Sequence, residues 1–305
     1  MIKKDLCIIG SGPAGLTAAV YGARYKIDQV LIGNLDGGLM TTSHKICNYP
    51  GETEISGIDL ALKMEQQVKS LEVDKITANV IDIIKSNDNF KVILSNSKEI
   101  EAKNIILATG TVHRHLGLEN EERFLGKGIS YCATCDAMFY RDKIVAVIGG
   151  SDSANTAALY LANVAKKVYQ IYRKDKLRGE TAWIDQIKKN DKIEVIYNAE
   201  IKKIEGAEKL ESIIINENGV EKNLQIDGMF VEIGSQPDRT LIDKLNLETD
   251  SGSYIITKPD QSTSVDSVYA AGDITTNSDS FRQIITACSE GSIAAKSVFE
   301  KLQKD

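Results

Sequence analysis

Short runs of consecutive apolar residues, each closed by glycine, alternate along this chain with longer segments whose apolar residues recur at helical spacing. Residues 5–9 (DLCII) read as a first strand, followed by the glycine loop Gly10-Ser11-Gly12-Pro13-Ala14-Gly15. Leu16, Ala18, Ala19, Val20 and Ala23 then mark a helix packed on a sheet, and residues 30–32 a second strand. The same order returns as a strand at 143–148, the loop Gly149-Gly150-Ser151-Asp152-Ser153-Ala154, a helix over 157–165 and a strand over 168–172. Similar material follows each unit: strands at 80–84, 90–94 and 104–107 after the first, and at 193–197, 213–215 and 228–233 after the second. One scaffold is written twice, which predicts two nucleotide-binding folds in one chain.

The remainder, from about residue 240, holds a strand at 267–271, then Gly272-Asp273 and a final helix over 284–302. It is too short to stand alone and is expected to complete the first domain. The predicted fold class is therefore α/β, with two Rossmann-like, three-layer ββα domains, the second inserted in the first. The boundaries fall at 1–111 with 241–305 for the outer domain and 112–240 for the insertion. Hinges are expected at 111–116 and 233–239.

A length of 305 residues suits two domains. The apolar content of 42% and charged content of 26% are those of a soluble globular protein. A formal charge of −6 argues against a dedicated nucleic-acid binder. No apolar run reaches the roughly 18 residues of a membrane helix, and the opening residues lead straight into a strand. No signal peptide and no membrane partner are expected, and the location is expected to be cytoplasmic. Of the five cysteines, Cys7 sits in an apolar strand as a small core residue, and Cys47 and Cys288 have no sequence-near cysteine or histidine.

Two motifs carry chemistry. In Gly10-x-Gly12-x-x-Gly15 the first glycine makes the turn, the second admits a pyrophosphate to the backbone, and the third lets helix and strand pack. Phosphates then meet free N–H groups at a helix N-terminus. An acid ending the next strand would hold an adenine ribose, but Gly33-Asn34 stand there and leave that contact unassigned. The second motif is Cys132-Ala133-Thr134-Cys135, whose spacing lets two sulfurs close a small reducible ring. A zinc site needs a second ligand pair, which the sequence lacks, so no metal is expected. A structural disulfide is out of place in a cytoplasmic chain. Redox chemistry is the favoured reading.

Residues 10–15, Gly37-Gly38-Leu39-Met40-Thr41-Thr42, Asn48-Tyr49-Pro50-Gly51, Ala108-Thr109-Gly110, Cys132-Ala133-Thr134-Cys135-Asp136, Ala271-Gly272-Asp273 and Arg282-Gln283 stand in order over nearly the whole chain. The set resembles the low-molecular-weight thioredoxin reductases of bacteria and archaea, and the Cys-Ala-Thr-Cys-Asp run is highly specific to them. The resemblance implies an FAD-dependent thioredoxin-disulfide reductase acting on thioredoxin or a thioredoxin-like protein. It places FAD across Gly10, Ser11, Gly12, Pro13, Ala14, Gly15, the 37–42 segment, Asn48, Ala108, Thr109, Gly110, Gly272, Asp273, Arg282, Gln283 and Ile284. It implies that Cys135 takes electrons from the flavin and that Cys132 attacks the partner disulfide. Asp136 would protonate a leaving thiolate, a role suited to a carboxyl raised by partial burial. It further implies a homodimer, and rotation of the inserted domain about the two hinges. His113 and His115 lie in the first hinge, where a structural or solvated role is expected.

The second glycine loop departs from the family. NADPH-using members read Gly-x-Gly-x-x-Ala followed by paired glutamates; here Ser151 stands at the third position, and Thr156 and Ala157 replace the glutamates. The family's His-Arg-Arg-x-x-x-Arg becomes Tyr172-Arg173-Lys174 with Arg178. Two donors stay open. NADPH is the default, held by Gly149, Gly150, Ser151, Asp152, Ser153, Ala154, Arg173, Lys174 and Arg178. The alternative is reduced ferredoxin, a small acidic protein, for which the basic trio would be surface charge or a docking patch.

Overall fold

The computed structural model describes residues 2–34, 37–86 and 89–304. The chain forms two compact units, Met1–Val112 with Gln236–Asp305, and His113–Ser235. The crossings fall at 112/113 and 235/236, where the sequence suggested 111/112 and 240/241.

In the first unit the strand Ile2–Ile9 lies between Gln29–Ile32 and Glu99–Leu107, parallel to both, with Ile9 opposite Ile32 and Leu107. The strand Glu99–Leu107 is shared. Its first part pairs antiparallel with Asn89–Leu94 of a hairpin, and its last three residues pair parallel with Val268–Ala270. Both faces of the sheet are covered, which is why its strands read as unbroken apolar runs. Cys7, Ile9, Val30, Ile32 and Leu107 pack with Phe90, Val92 and Leu94. On the other face Leu6, Ile8, Leu31 and Ile106 meet Leu16, Ala18 and Ala19 of the helix Pro13–Arg24, and Ala294, Ala295 and Val298 of the helix Ile284–Leu302. Small residues bring these two helices close: a Cβ on Gly291 would lie 2.1 Å from the Ala14 carbonyl oxygen.

The second unit repeats the plan. Ile144–Ile148 lies between Lys167–Tyr172 and Gly228–Val231, all parallel, with Ile193–Tyr197 and Ile129–Ser130 at the two edges. Alternation sorts the side chains to two faces. Ala146, Ile148, Met229 and Val231 meet Ile201, Ile204, Ile213 and Ile215 of a three-stranded antiparallel sheet. Val145, Val147 and Phe230 meet Ala154, Ala157, Ala158 and Leu161 of the helix Asp152–Ala162. That helix starts earlier than the sequence suggested. Ser151 is its N-cap, so Asp152, Ser153 and Ala154 form its first turn rather than a loop. Each unit thus stacks helices, a parallel sheet and an antiparallel β piece, the α/β architecture expected. Among the described residues no helix is long and apolar enough to cross a membrane.

Candidate active site

The first glycine loop is built by close approaches. A Cβ on Gly10 (φ +109°) would lie 2.2 Å from the Ala108 carbonyl oxygen, and one on Gly15 would lie 1.8 Å from that of Gly10. Neither position tolerates a side chain. Gly12 is different: it is the extended N-cap of the helix Pro13–Arg24, and its missing side chain faces empty space. No side chain caps this helix and no acid sits in its first turn, so its N–H groups open onto a free, anion-favouring place. These are features a dinucleotide pyrophosphate fits. Position 33 has no room for a side chain, because a Cβ on Gly33 would lie 2.2 Å from Ser11 Oγ. Ser11 occupies that ground.

Gly37, Gly38, Ala108 and Gly272 lie against this loop, while Asn48 is tied to Gln283 and Arg282 to Asp273. Gly37 N–H donates to the Ser11 carbonyl at 2.8 Å, and Gly38 through Thr42 form a 3-10 helix with Met40 buried. Thr41 and Thr42 hydroxyls donate to the Gly38 and Leu39 carbonyls. Asn48 Nδ2 donates to Gln283 Oε1 at 3.1 Å, and Gln283 forms a capping box with Thr286 at the start of the helix that Ile284 opens. A Cβ on Gly272 would lie 3.0 Å from that of Ala14. Arg282 donates to the Asp273 carbonyl at 3.4 Å while its guanidinium lies 3.7 Å from the centre of the Tyr254 ring. Burial pushes the Asp273 carboxyl up to about 6, against the pull of Arg282 and with the help of Glu290. Thr109 is exposed and Gly110 (φ +63°) turns the chain after the strand.

In the second unit Cys132 and Cys135 are disulfide-bonded, with Cα atoms 5.3 Å apart. Cys132 caps the short helix Ala133–Asp136, and its Sγ accepts from the Cys135 N–H at 3.1 Å, an arrangement that favours a thiolate there once the bond is opened. Ser130 Oγ accepts from the Cys132 N–H at 3.0 Å. Ala137, fully buried against Val145, Val147 and Phe230, anchors the segment to the sheet. Cys132 and Asp136 share an open cleft of about 380 Å³ with His113, Ser130 and Tyr131; Cys135 does not line it and is exposed.

Tyr131 and Glu121 were not among the residues singled out from the sequence. Tyr131 donates to Glu121, and its hydroxyl lies 3.0 Å from His115 Nδ1. Glu121, buried, also accepts from the Leu116 and Gly117 N–H groups at 2.8 Å each. Burial alone would raise this carboxyl; the bonds from Tyr131 and the backbone hold it below its ordinary range. Burial, then Glu121, pushes the Tyr131 phenol up, while burial and His115 push the His113 imidazole down. His113 and His115 both face the Tyr131 ring. Adjacency to Cys132 was the one sequence signal for Tyr131.

At the second glycine loop a Cβ on Gly149 (φ +144°) would lie 2.1 Å from the Glu232 carbonyl oxygen, and one on Gly150 would lie 2.5 Å from the Tyr172 ring. The segment after Tyr172 folds back across the loop: Arg178 N–H donates to the Gly150 carbonyl at 2.7 Å and Glu180 N–H to Asp152 Oδ1 at 2.7 Å. Asn155 Nδ2 donates to the Arg178 carbonyl at 2.8 Å and is itself held by Gln170 at 2.9 Å. Arg173, Lys174 and Arg178 are exposed, and none forms an ion pair among the described residues.

A family model described as pyridine nucleotide-disulphide oxidoreductase matches residues 4–291. A thioredoxin reductase of Peptoclostridium acidaminophilum is 40% identical over 301 residues, covering 95% of this chain and 94% of the relative. The chain belongs to the pyridine nucleotide-disulphide oxidoreductase family, among its low-molecular-weight thioredoxin reductases. The crystal structure of Lactococcus lactis thioredoxin reductase matches it with a TM-score of 0.95 at 35% identity, over 99% of this chain and 100% of that one. A ferredoxin-flavin thioredoxin reductase from Clostridium acetobutylicum is 32% identical, with a TM-score of 0.56 and full coverage, 100% of each chain. The family resemblance read from the sequence is borne out, and the chain is a flavoprotein oxidoreductase of this class.

Proposed function

We propose that this thioredoxin-disulfide reductase passes two electrons from a reduced donor, by way of FAD in the first unit, to the Cys132–Cys135 disulfide and then to a thioredoxin-like protein. The observation that carries the reading is the placement of Cys132, Asp136 and a disulfide-bonded Cys135 on one short segment of the second unit. FAD, when bound, supplies the two-electron exchange between donor and disulfide. The open N-terminus at Gly12 suits its pyrophosphate, and Asp273, Arg282 and Gln283 line the same cradle. Two electrons and two protons open the Cys132–Cys135 bond to a pair of thiols, with Cys135 as the sulfur that receives the electrons. Cys132 gives its thiol proton to the Asp136 carboxylate and attacks, as thiolate, a sulfur of the partner disulfide; the other partner sulfur leaves, taking that proton back from Asp136. Cys135 then attacks the Cys132 sulfur and re-forms the bond, its proton passing to the departing partner sulfur, so the partner leaves as a dithiol.

NADPH is the donor of first choice. The basic segment that folds over the second glycine loop brings exposed Arg173, Lys174 and Arg178 near a helix N-terminus, a setting for an anionic nucleotide. A second reading, reduced ferredoxin, is favoured by Ser151 at the close-approach position and by the Tyr172 ring against Gly150. The same free cations suit an acidic protein surface, and the Clostridium acetobutylicum relative is named for such a donor. Anaerobic titration of the purified protein is expected to consume about four electrons, two for flavin and two for disulfide. Uptake of two alone removes the cysteines from the route. Bleaching of the flavin absorbance by NADPH supports the first donor; bleaching by reduced ferredoxin but by neither NADPH nor NADH supports the second. We also propose a homodimer, which sedimentation velocity tests directly.

A further inference from the structure

Glu290 lies in the second turn of the helix Ile284–Leu302 and is only 4% exposed. Nothing in the sequence marks it, since it stands between Ser289 and Gly291 as an ordinary helical acid. A buried carboxylate needs partners, and all three of these come from one loop. Its Oε2 accepts from the Gly272 N–H at 2.8 Å and from the Thr275 hydroxyl at 2.9 Å; its Oε1 accepts from the Ser278 hydroxyl at 2.6 Å. The loop it grips begins with Gly272-Asp273 and ends just short of Arg282-Gln283, so both flavin-candidate segments hang from it.

The same loop carries backbone that needs holding. Ser278 (φ 54°) and Asp279 (φ 52°) are consecutive left-handed residues and neither is glycine. Such positions cost free energy and persist where the surroundings fix them, often beside a ligand. Ser278 is the residue bonded to Glu290. The helix that bears Glu290 is itself seated on the first glycine loop, through Gly291 against Ala14 and Cys288 near the Pro13 carbonyl. One side chain therefore ties the Gly272–Ser278 loop to a helix registered on the pyrophosphate end of the cradle.

We propose that Glu290 is the positioning residue of the flavin cradle, holding the Gly272–Ser278 loop in the shape that FAD meets. This rests on the FAD reading above. It acts through hydrogen bonding rather than through contact with the flavin, and that distinction sets the test. A glutamine at 290 keeps an oxygen for Gly272 N–H and Thr275, and its amide can donate to Ser278 Oγ. Alanine or leucine leaves all three loop groups without a partner.

The experiment is FAD rebinding to deflavinated protein, read by quenching of flavin fluorescence, for wild type, Glu290→Gln, Glu290→Ala and Ser278→Ala. Far-UV circular dichroism checks the fold of each apoprotein. Glu290→Gln is expected within about threefold of the wild-type dissociation constant with the same visible spectrum. Glu290→Ala is expected to bind FAD at least about tenfold more weakly, and Ser278→Ala a few-fold more weakly. Wild-type affinity in a folded Glu290→Ala overturns the proposal, as does equal loss in the alanine and glutamine variants. If Glu290→Ala does not fold, Ser278→Ala decides: unchanged affinity there overturns it. A wild-type apoprotein that takes no FAD fails the flavin reading itself and is thereby distinguished.

Discussion

Glu232 should make the second unit less stable as pH rises from about 4.5 to about 7. It follows the strand Gly228–Val231 at its carboxyl end, with its N–H bonded to the Ile148 carbonyl at 2.8 Å. Its carboxyl has no hydrogen-bond or ion-pair partner among the described residues, and loss of water pushes it from 4.5 up to about 7. The folded chain then keeps a proton between those values that the unfolded chain has already lost. Because the native state binds more protons there, unfolding free energy falls as pH rises across that window, and the loss is complete above it. At about 1.4 kcal/mol per unit, a shift of this size gives an upper figure of roughly 3 kcal/mol. Glu232→Gln removes the titration. The variant is expected to match wild type near pH 4.5 and to exceed it by up to roughly 3 kcal/mol at pH 8. The chain's single tryptophan, Trp183, lies in the second unit on the helix Thr181–Lys188 and reports that unit's urea unfolding by fluorescence. An equal difference in midpoint between the two proteins at both pH values would refute the argument.

Four further substitutions test the same geometry. Gly12→Ala meets no atom and should fold normally while binding FAD more weakly. Gly15→Ala puts a methyl 1.8 Å from the Gly10 carbonyl and should lower thermal stability by about 1–3 kcal/mol or prevent folding; equal flavin content in Gly12→Ala and wild type would sink the cradle. Cys135→Ser should abolish turnover and leave FAD bound, seen as an inactive yellow protein; a colourless product contradicts the separation of cysteine and flavin sites. Asn155→Ala strips partners from the Gln170 amide and the Arg178 carbonyl in a fully buried place, and should cost about 1–3 kcal/mol in the Trp183 unfolding transition.

How much of this could be read from sequence depended on whether a feature was local. Strand runs and glycine loops are local, so the repeated plan was legible, and the final helix over 284–302 appears with the bounds expected. The second-unit helix was started too late because Ser151, Asp152 and Ser153 prefer turns and caps; the structure uses Ser151 as the cap and buries Ala154 in the first turn. The glycine at 33 is legible, but the contact that excludes a side chain there, with Ser11, joins residues 22 positions apart. Glu121 and Glu290 were illegible for the same reason. An acid becomes structural only when distant groups bring donors to it: Tyr131 and two backbone N–H groups in one case, the Gly272–Ser278 loop in the other.

On the proposed function, the two glycine loops turn one scaffold to two uses. At the first, Gly15 lets the helix come so near the strand that no methyl fits, and Gly12 leaves the helix N-terminus bare. At the second, the corresponding residues are Ala154 and Ser151. A Cβ on Gly149 would already lie 2.9 Å from the Ala154 methyl, so a side chain stands at the contact that glycine leaves open in the first unit. The Asp152 carboxylate, accepting from the Glu180 N–H, and the Arg178 N–H, donating to the Gly150 carbonyl, then close part of the rim. A bare, close-set loop suits a cofactor that stays bound, because every removed side chain becomes permanent contact. A loop edged with its own side chains and exposed cations suits a donor that must arrive and leave, whether nucleotide or protein. On the proposed function, a division of labour between the units follows from where each loop has glycine.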